Sequence, residues 1–153
     1  MDAALCERLW REHADRLLLY AAALLSDRSA AEDVLQNVFA RMLAAEPSIA
    51  ESEAAYLFRA VRNEAMNASR GARRARAVRE RLFETEPAAR DESERLAVEE
   101  ALADLPEDQR EAVVLKIWGG LSFPEAARVL GTTDKTVEHR YYRGLAALEE
   151  KLR

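Results

Sequence analysis

The chain has 153 residues, enough for one ordinary domain or two small ones; 49% of its residues are hydrophobic and 33% charged, as in a globular protein. Five Gly and four Pro among abundant Ala, Leu, Glu and Arg favour helix, and no Val/Ile/Thr-rich alternation suggests a strand. The net charge of −5 argues against a generic nucleic-acid coat, and the single Cys6 excludes an internal disulfide framework and fits a reducing cytoplasm.

The first predicted helix places Trp10, Leu17, Leu18, Ala21, Leu24 and Leu25 at helical spacing, and "SDRS" ends it. The N-terminus lacks a basic-then-apolar signal pattern, and no apolar run approaches the ~18 residues of a membrane span. A second helix opens on a predicted capping box, Ser29 with Glu32. Its apolar face is Val34, Leu35, Val38, Phe39, Met42 and Leu43; Asp33, Gln36, Asn37 and Arg41 lie on the other side. Pro47 breaks the chain within "AAEPSIAES". A third helix starts near Ser52 or Glu53 and is expected to bury Tyr56, Leu57, Ala60, Val61 and Met66.

Beyond Ser69 the apolar stripe fails. From Arg59 to Arg81 there are eight arginines against two acids, whereas from Glu84 to Glu111 there are three against eleven. Arg70, Arg73, Arg74, Arg76 and Arg79 suit a groove that tracks a phosphate backbone, with Tyr56 and Phe58 as a candidate stacking surface. A solvated helix end fits the same charges equally well, and Tyr56 suits a core position better. "FETEPAARDESER" is polar, carries Pro87 and lacks a stripe, so it reads as a flexible linker. The division that follows is all-α: two small helical domains at 1–83 and 96–153, joined by a linker at 84–95.

After the linker, Leu96, Leu102 and Leu105 mark a short helix, and Val113, Val114, Ile117 and Trp118 mark the next, which ends at Gly119 and Gly120. Ser122 and Glu125 form a capping box with Pro124 in the first turn, Gly131 closes that helix, and Thr133 caps the last one. Small residues around a Gly-containing turn let two helices cross steeply, as in a helix-turn-helix.

On the last helix, Val137, Tyr141, Leu145, Leu148 and Leu152 form the expected buried stripe. Lys135, His139 and Tyr142 fall nearly opposite it, flanked by Thr136, Glu138 and Arg143. The N-terminal part of such a helix is what reaches base edges in a major groove. Lys135, His139 and Tyr142 are therefore candidate base contacts, and Arg140 and Arg143 candidate phosphate contacts. Glu138 either accepts from cytosine N4 or pairs with an arginine at helical spacing. A helical hairpin with a solvated face would show the same local pattern.

Catalytic signals are weak. His13 and His139 have no second imidazole or thiol at metal-ligand spacing, no Gly-rich phosphate loop occurs, and Cys6 has only Arg8 as a basic neighbour. No metal or cofactor is expected.

Three stretches share a pattern: "AEDVLQNVFARML", "YLFRAVRNEAMNASR" and "LPEDQREAVVLKIWGGLSFPEAARVLGTTDKTVEHRYYRGLAALEEKL". In order and spacing they resemble the extracytoplasmic-function (ECF) group of sigma-70-type sigma factors, over nearly the whole chain outside the linker. The third stretch is the most specific. The resemblance implies that the first domain is sigma region 2, docking Asp33, Gln36, Asn37 and Arg41 on the β′ clamp helices of RNA polymerase core. It implies recognition and opening of the −10 element by the third helix, for which Arg59, Arg62, Asn63, Asn67, Arg70, Arg73 and Arg74 are the candidates. The second domain would be region 4, holding the β flap and reading the −35 element with Lys135, Thr136, Glu138, His139, Arg140, Tyr142 and Arg143.

The function so implied is a cytoplasmic, non-enzymatic sigma factor that directs promoter-specific initiation, restrained by an anti-sigma factor and without membrane insertion. Two alternatives stand beside it: a helix-turn-helix regulator acting without polymerase core, and a helical protein that sequesters a partner without binding DNA.

Overall fold

The computed structural model describes residues 3–45, 47–49, 52–82 and 92–153, and the side chains of these except for 69–96. Every regular element among the described residues is helical. Three helices form the first module: α1 (Ala3–Leu25), α2 (Arg28–Ala45) and α3 (Glu53–Leu82). From α1, Cys6, Leu9, His13, Leu17, Tyr20 and Ala21 face inward at steps of three and four residues. The run Leu17–Leu18–Leu19 hides this phase in the sequence. The buried stripe passes through Leu9 and Tyr20, while Trp10 lies at the rim with its ring edge-on to Phe39 at 5.0 Å.

Ser26, at φ 53°, ends α1, and Asp27 starts α2. The Ala30 amide donates to Asp27 Oδ1 at 3.1 Å and the Ala31 amide to the Asp27 carbonyl at 3.0 Å. The cap is thus Asp27, not the expected Ser29, because the left-handed turn at Ser26 sets the chain into helix two residues earlier. Val34, Leu35, Val38, Phe39 and Met42 are buried as expected, but Leu43 is 47% exposed, one step past the inward face.

Helix α3 is capped by Ser52, whose Oγ accepts from the Ala55 amide at 3.1 Å. Leu57, Phe58, Val61 and Ala65 are its most buried side chains, whereas Tyr56, Ala60 and Met66 are half-buried. Phe58 is fully buried against Tyr20, with ring centroids 5.5 Å apart, so it is core and cannot be a stacking surface.

The second module comprises α4 (Glu92–Ala103), α5 (Glu107–Val113), continued by a π-helical turn (Val114–Trp118), α6 (Phe123–Leu130) and α7 (Asp134–Leu152). Helix α4 begins inside the segment 84–95 read as linker; residues 83–91 lie outside the described residues. Arg110 caps α4 from below: its guanidinium donates to the carbonyls of Leu102, Ala103 and Leu105, each at 2.9 Å. Helix α7 packs on α5 through Val137, Gly144 and Leu148, with Tyr141 and Leu145 half-buried. Leu152, expected in that stripe, is 46% exposed.

The modules dock on each other. Ala112, Val114, Leu115, Leu121, Ala126, Ala127, Val129 and Val137 of the second join the buried residues of α1, α2 and α3 in one continuous apolar core. A smaller cluster of Ala101, Leu105, Val113 and Leu148 closes the far side of the second module.

Candidate nucleic-acid and polymerase interface

Helices α6 and α7 build the helix-turn-helix from local signals. The Glu125 amide donates to Ser122 Oγ at 3.2 Å, and the Ser122 amide donates back to Glu125 Oε1 at 3.1 Å. Gly131 takes the left-handed conformation (φ 66°) that turns the chain, and Thr133 caps α7 by accepting from the Thr136 amide at 3.2 Å. The local geometry therefore matches the sequence pattern at every joint.

Lys135, Glu138, His139, Tyr142 and Arg143 are exposed on α7. Tyr142, 55% exposed, leans its ring edge on Tyr141 at 5.0 Å, and Tyr141 in turn packs on Phe123 at 5.6 Å. The Lys116 ammonium sits 4.7 Å over the Phe123 ring and lends the cluster a positive flank. The Thr136 hydroxyl is 2.9 Å from that of Thr133, so it belongs to the cap. Arg140 is half-buried and pairs with Asp108 at the start of α5 at 3.5 Å. Glu138 has no ion-pair partner among the described residues, which removes the helical-pair explanation for it in this arrangement.

On α2, Asp33, Gln36, Asn37 and Arg41 are all exposed. Their spacing makes two adjacent ridges, Asp33–Asn37–Arg41 and Gln36–Ala40–Leu43, the second ending on the exposed Leu43. Arg41 also bonds Glu64 of α3, which ties this face to α3. Sequence periodicity missed Leu43 because it counted it with the core.

Arg59, Asn63 and Asn67 follow one another at four-residue spacing on the outer side of α3, all exposed. Arg70, Arg73 and Arg74 continue that helix, but their side chains, like those of Arg76 and Arg79, lie outside the described residues. Arg62 differs from its neighbours. Its Nε donates to Glu111 Oε1 at 2.8 Å and its Nη2 to Oε2 at 3.3 Å, so it faces the second module and not solvent.

Glu111 is 5% exposed and also accepts from the Tyr20 hydroxyl at 2.8 Å. Burial, with the Glu111 carboxylate beside it, pushes the Tyr20 phenol well above its ordinary pKa. Two further polar contacts join the modules: the Ser52 hydroxyl donates to Glu125 Oε2, and Arg16 Nη1 donates to the Gly119 carbonyl at 3.1 Å. None of these cross-module pairings carries a local signal, because the two residues of each pair lie far apart in sequence. Among the described residues no group of three or more His, Cys, Asp or Glu could hold a metal, and no helix is long and apolar enough to cross a membrane.

Comparison with known proteins decides between the readings that the geometry allows. Residues 9–75 match the family described as Sigma-70 region 2, and residues 95–148 match Sigma-70, region 4. The chain is 32% identical over 152 residues to the RNA polymerase sigma-E factor of Streptomyces antibioticus, covering 95% of this chain and 83% of that relative. It is 31% identical over 156 residues to the ECF RNA polymerase sigma factor SigL of Mycobacterium tuberculosis (strain ATCC 25618 / H37Rv), covering 96% and 88%. The chain belongs to the ECF group of the sigma-70 family. This sigma factor directs transcription initiation by RNA polymerase.

Its fold is similar to that of the sigma factor RpoE in complex with the anti-sigma factor NepR from Bartonella quintana. The TM-score is 0.75 at 27% identity, over 95% of both chains. It is also similar to CnrH in complex with the cytosolic domain of CnrY, with a TM-score of 0.73 at 28% identity over 99% of this chain and 89% of that one.

Proposed function

We propose that the two modules, read as 1–83 and 96–153, divide the work of initiation between polymerase and promoter. Asp33, Gln36, Asn37 and Arg41 dock α2 on the β′ clamp helices, with Leu43 as an apolar contact at the end of the adjacent ridge. Arg59, Asn63 and Asn67, continued by Arg70, Arg73 and Arg74, meet the −10 element, and Arg62 joins them once it leaves Glu111. The second module holds the β flap and lays α7 in the major groove of the −35 element. There Lys135, Glu138, His139 and Tyr142 meet base edges, Arg140 and Arg143 meet phosphates, and Thr136 holds the helix start.

The observation that carries this reading is the pairing, in one chain, of a capped helix-turn-helix with an exposed polar face on α2. A regulator acting without polymerase would have no use for that second face. The contribution is positional: the chain acts in the cytoplasm, performs no chemistry of its own and needs no cofactor. A partner anti-sigma factor fits the similarity to RpoE, a sigma factor solved in complex with the anti-sigma factor NepR.

The test is promoter binding with and without core. Shift assays on genomic promoter fragments should show stable complexes only when core is present. Asp33→Ala with Gln36→Ala should abolish the core complex while the chain stays helical. Core-independent binding of full affinity would favour the free-standing regulator.

A further inference from the structure

Glu138 carries the wrong charge for a helix that lies against phosphates. It is exposed on α7 and has no ion-pair partner among the described residues. The helix dipole favours acids within the first turn, where Asp134 already stands, and Glu138 lies one turn further on. Asp134, four residues before it, is a like charge at a spacing that destabilises a helix. Lys135, three residues before it, forms no ion pair with it. Glu138 therefore costs α7 a little, and no contact among the described residues offsets that cost.

The chemistry of the base edges singles out one partner for it. A carboxylate accepts hydrogen bonds and donates none. In the major groove guanine offers two acceptors, N7 and O6, and thymine an acceptor and a methyl group. Adenine sets its N6 donor beside the N7 acceptor, which would face a carboxylate oxygen. Cytosine presents the N4 donor with no acceptor of its own. A carboxylate on the reading face is thus repelled by phosphates and by most base edges, and is rewarded at cytosine. Such a group rejects wrong sequences as well as choosing a right one. Lys135, exposed one turn back, suits the acceptors of a guanine beside it.

We propose that Glu138 selects a cytosine within the −35 element by accepting a hydrogen bond from its N4 amino group. Cytosine selection rests on the reading of α7 as the −35 helix and names a base that this helix requires. The same carboxylate weakens binding to every site that lacks the cytosine.

The test is selection with holoenzyme, the full chain on core polymerase, from a genomic promoter fragment whose −35 region is randomised. Wild type should enrich cytosine at one position by about tenfold over the other bases. Glu138→Gln should enrich adenine at that position instead, because a Gln amide donates to N7 and accepts from N6. Glu138→Ala should lose the preference there, keep the others, and bind cytosine-lacking sites more tightly than wild type. Helix content by circular dichroism should be equal in all three, since Glu138 is exposed. Enriched pools with the same preferences in wild type and both variants overturn the assignment of Glu138 and leave the −35 reading intact. An Ala variant that binds every site more tightly by one common factor has lost only a repulsive charge, and overturns the assignment likewise. A wild-type pool with no −35 preference at all overturns both the assignment and the reading on which it rests.

Discussion

Gly144 shows how one missing side chain sets the helix-turn-helix on its support. A Cβ built there would lie 2.8 Å from Val113 Cγ2 and 3.3 Å from the Gln109 carbonyl oxygen, so α7 crosses α5 too closely for any larger residue. Gly144→Ala should destabilise the protein by about 1–2 kcal/mol in urea unfolding, because overpacking outweighs the gain in helix propensity. Ser122→Ala should cost about 1 kcal/mol by leaving the Glu125 amide without its cap.

His13 makes a pH prediction. Burial and, next, the neighbouring Arg16 guanidinium lower its pKa from 6.5, and Arg16 Nη2 donates to its Nδ1 at 2.7 Å, a bond that needs that nitrogen unprotonated. The unfolded chain therefore binds the proton more readily, and stability is lost as pH falls below about 6.5. The urea midpoint should fall between pH 7.5 and 5.5, and His13→Gln should flatten that dependence; an equal slope in the variant would show that another group is responsible. Legibility differs sharply between such residues. Ser122, Glu125, Gly131 and Thr133 act on partners within a few positions, so the sequence displays them. Glu111 reads as a solvated acid because its partners, Arg62 and Tyr20, lie 49 and 91 residues away.

At the scale of the helix, α7 is where specificity is expected to reside. Arg143→Ala should weaken binding to all promoter sequences alike and reduce the salt slope by about 1. His139→Ala should instead change which bases are preferred at the −35 element, measured by selection from randomised sites. A uniform loss would remove His139 from the readers. The sequence placed α7 correctly because its caps and stripe agree. It misplaced the start of α2 because Asp27 and Ser29 are both good caps, and only the left-handed turn at Ser26 chooses between them. It put Leu43 in the core because a periodic pattern does not reveal where the neighbouring helices stop covering a face.

At the scale of the whole molecule, the two modules were legible and their docking was not. Composition, the break after the arginine-rich stretch and the restart of the apolar pattern divide the chain, but they carry no information about faces that meet across it. Those faces are apolar on both sides, so each looks like the core of its own module; the closed arrangement emerges only when Val114, Leu115, Leu121 and Ala126 are seen against α1 and α3. The central claim, that this chain confers promoter choice on polymerase, is tested most directly by run-off transcription with purified core on genomic fragments. The account predicts discrete transcripts from a small set of promoters only when the chain is added, and their loss with the Arg140→Ala, Arg143→Ala double variant. Transcripts identical with and without the chain would contradict it.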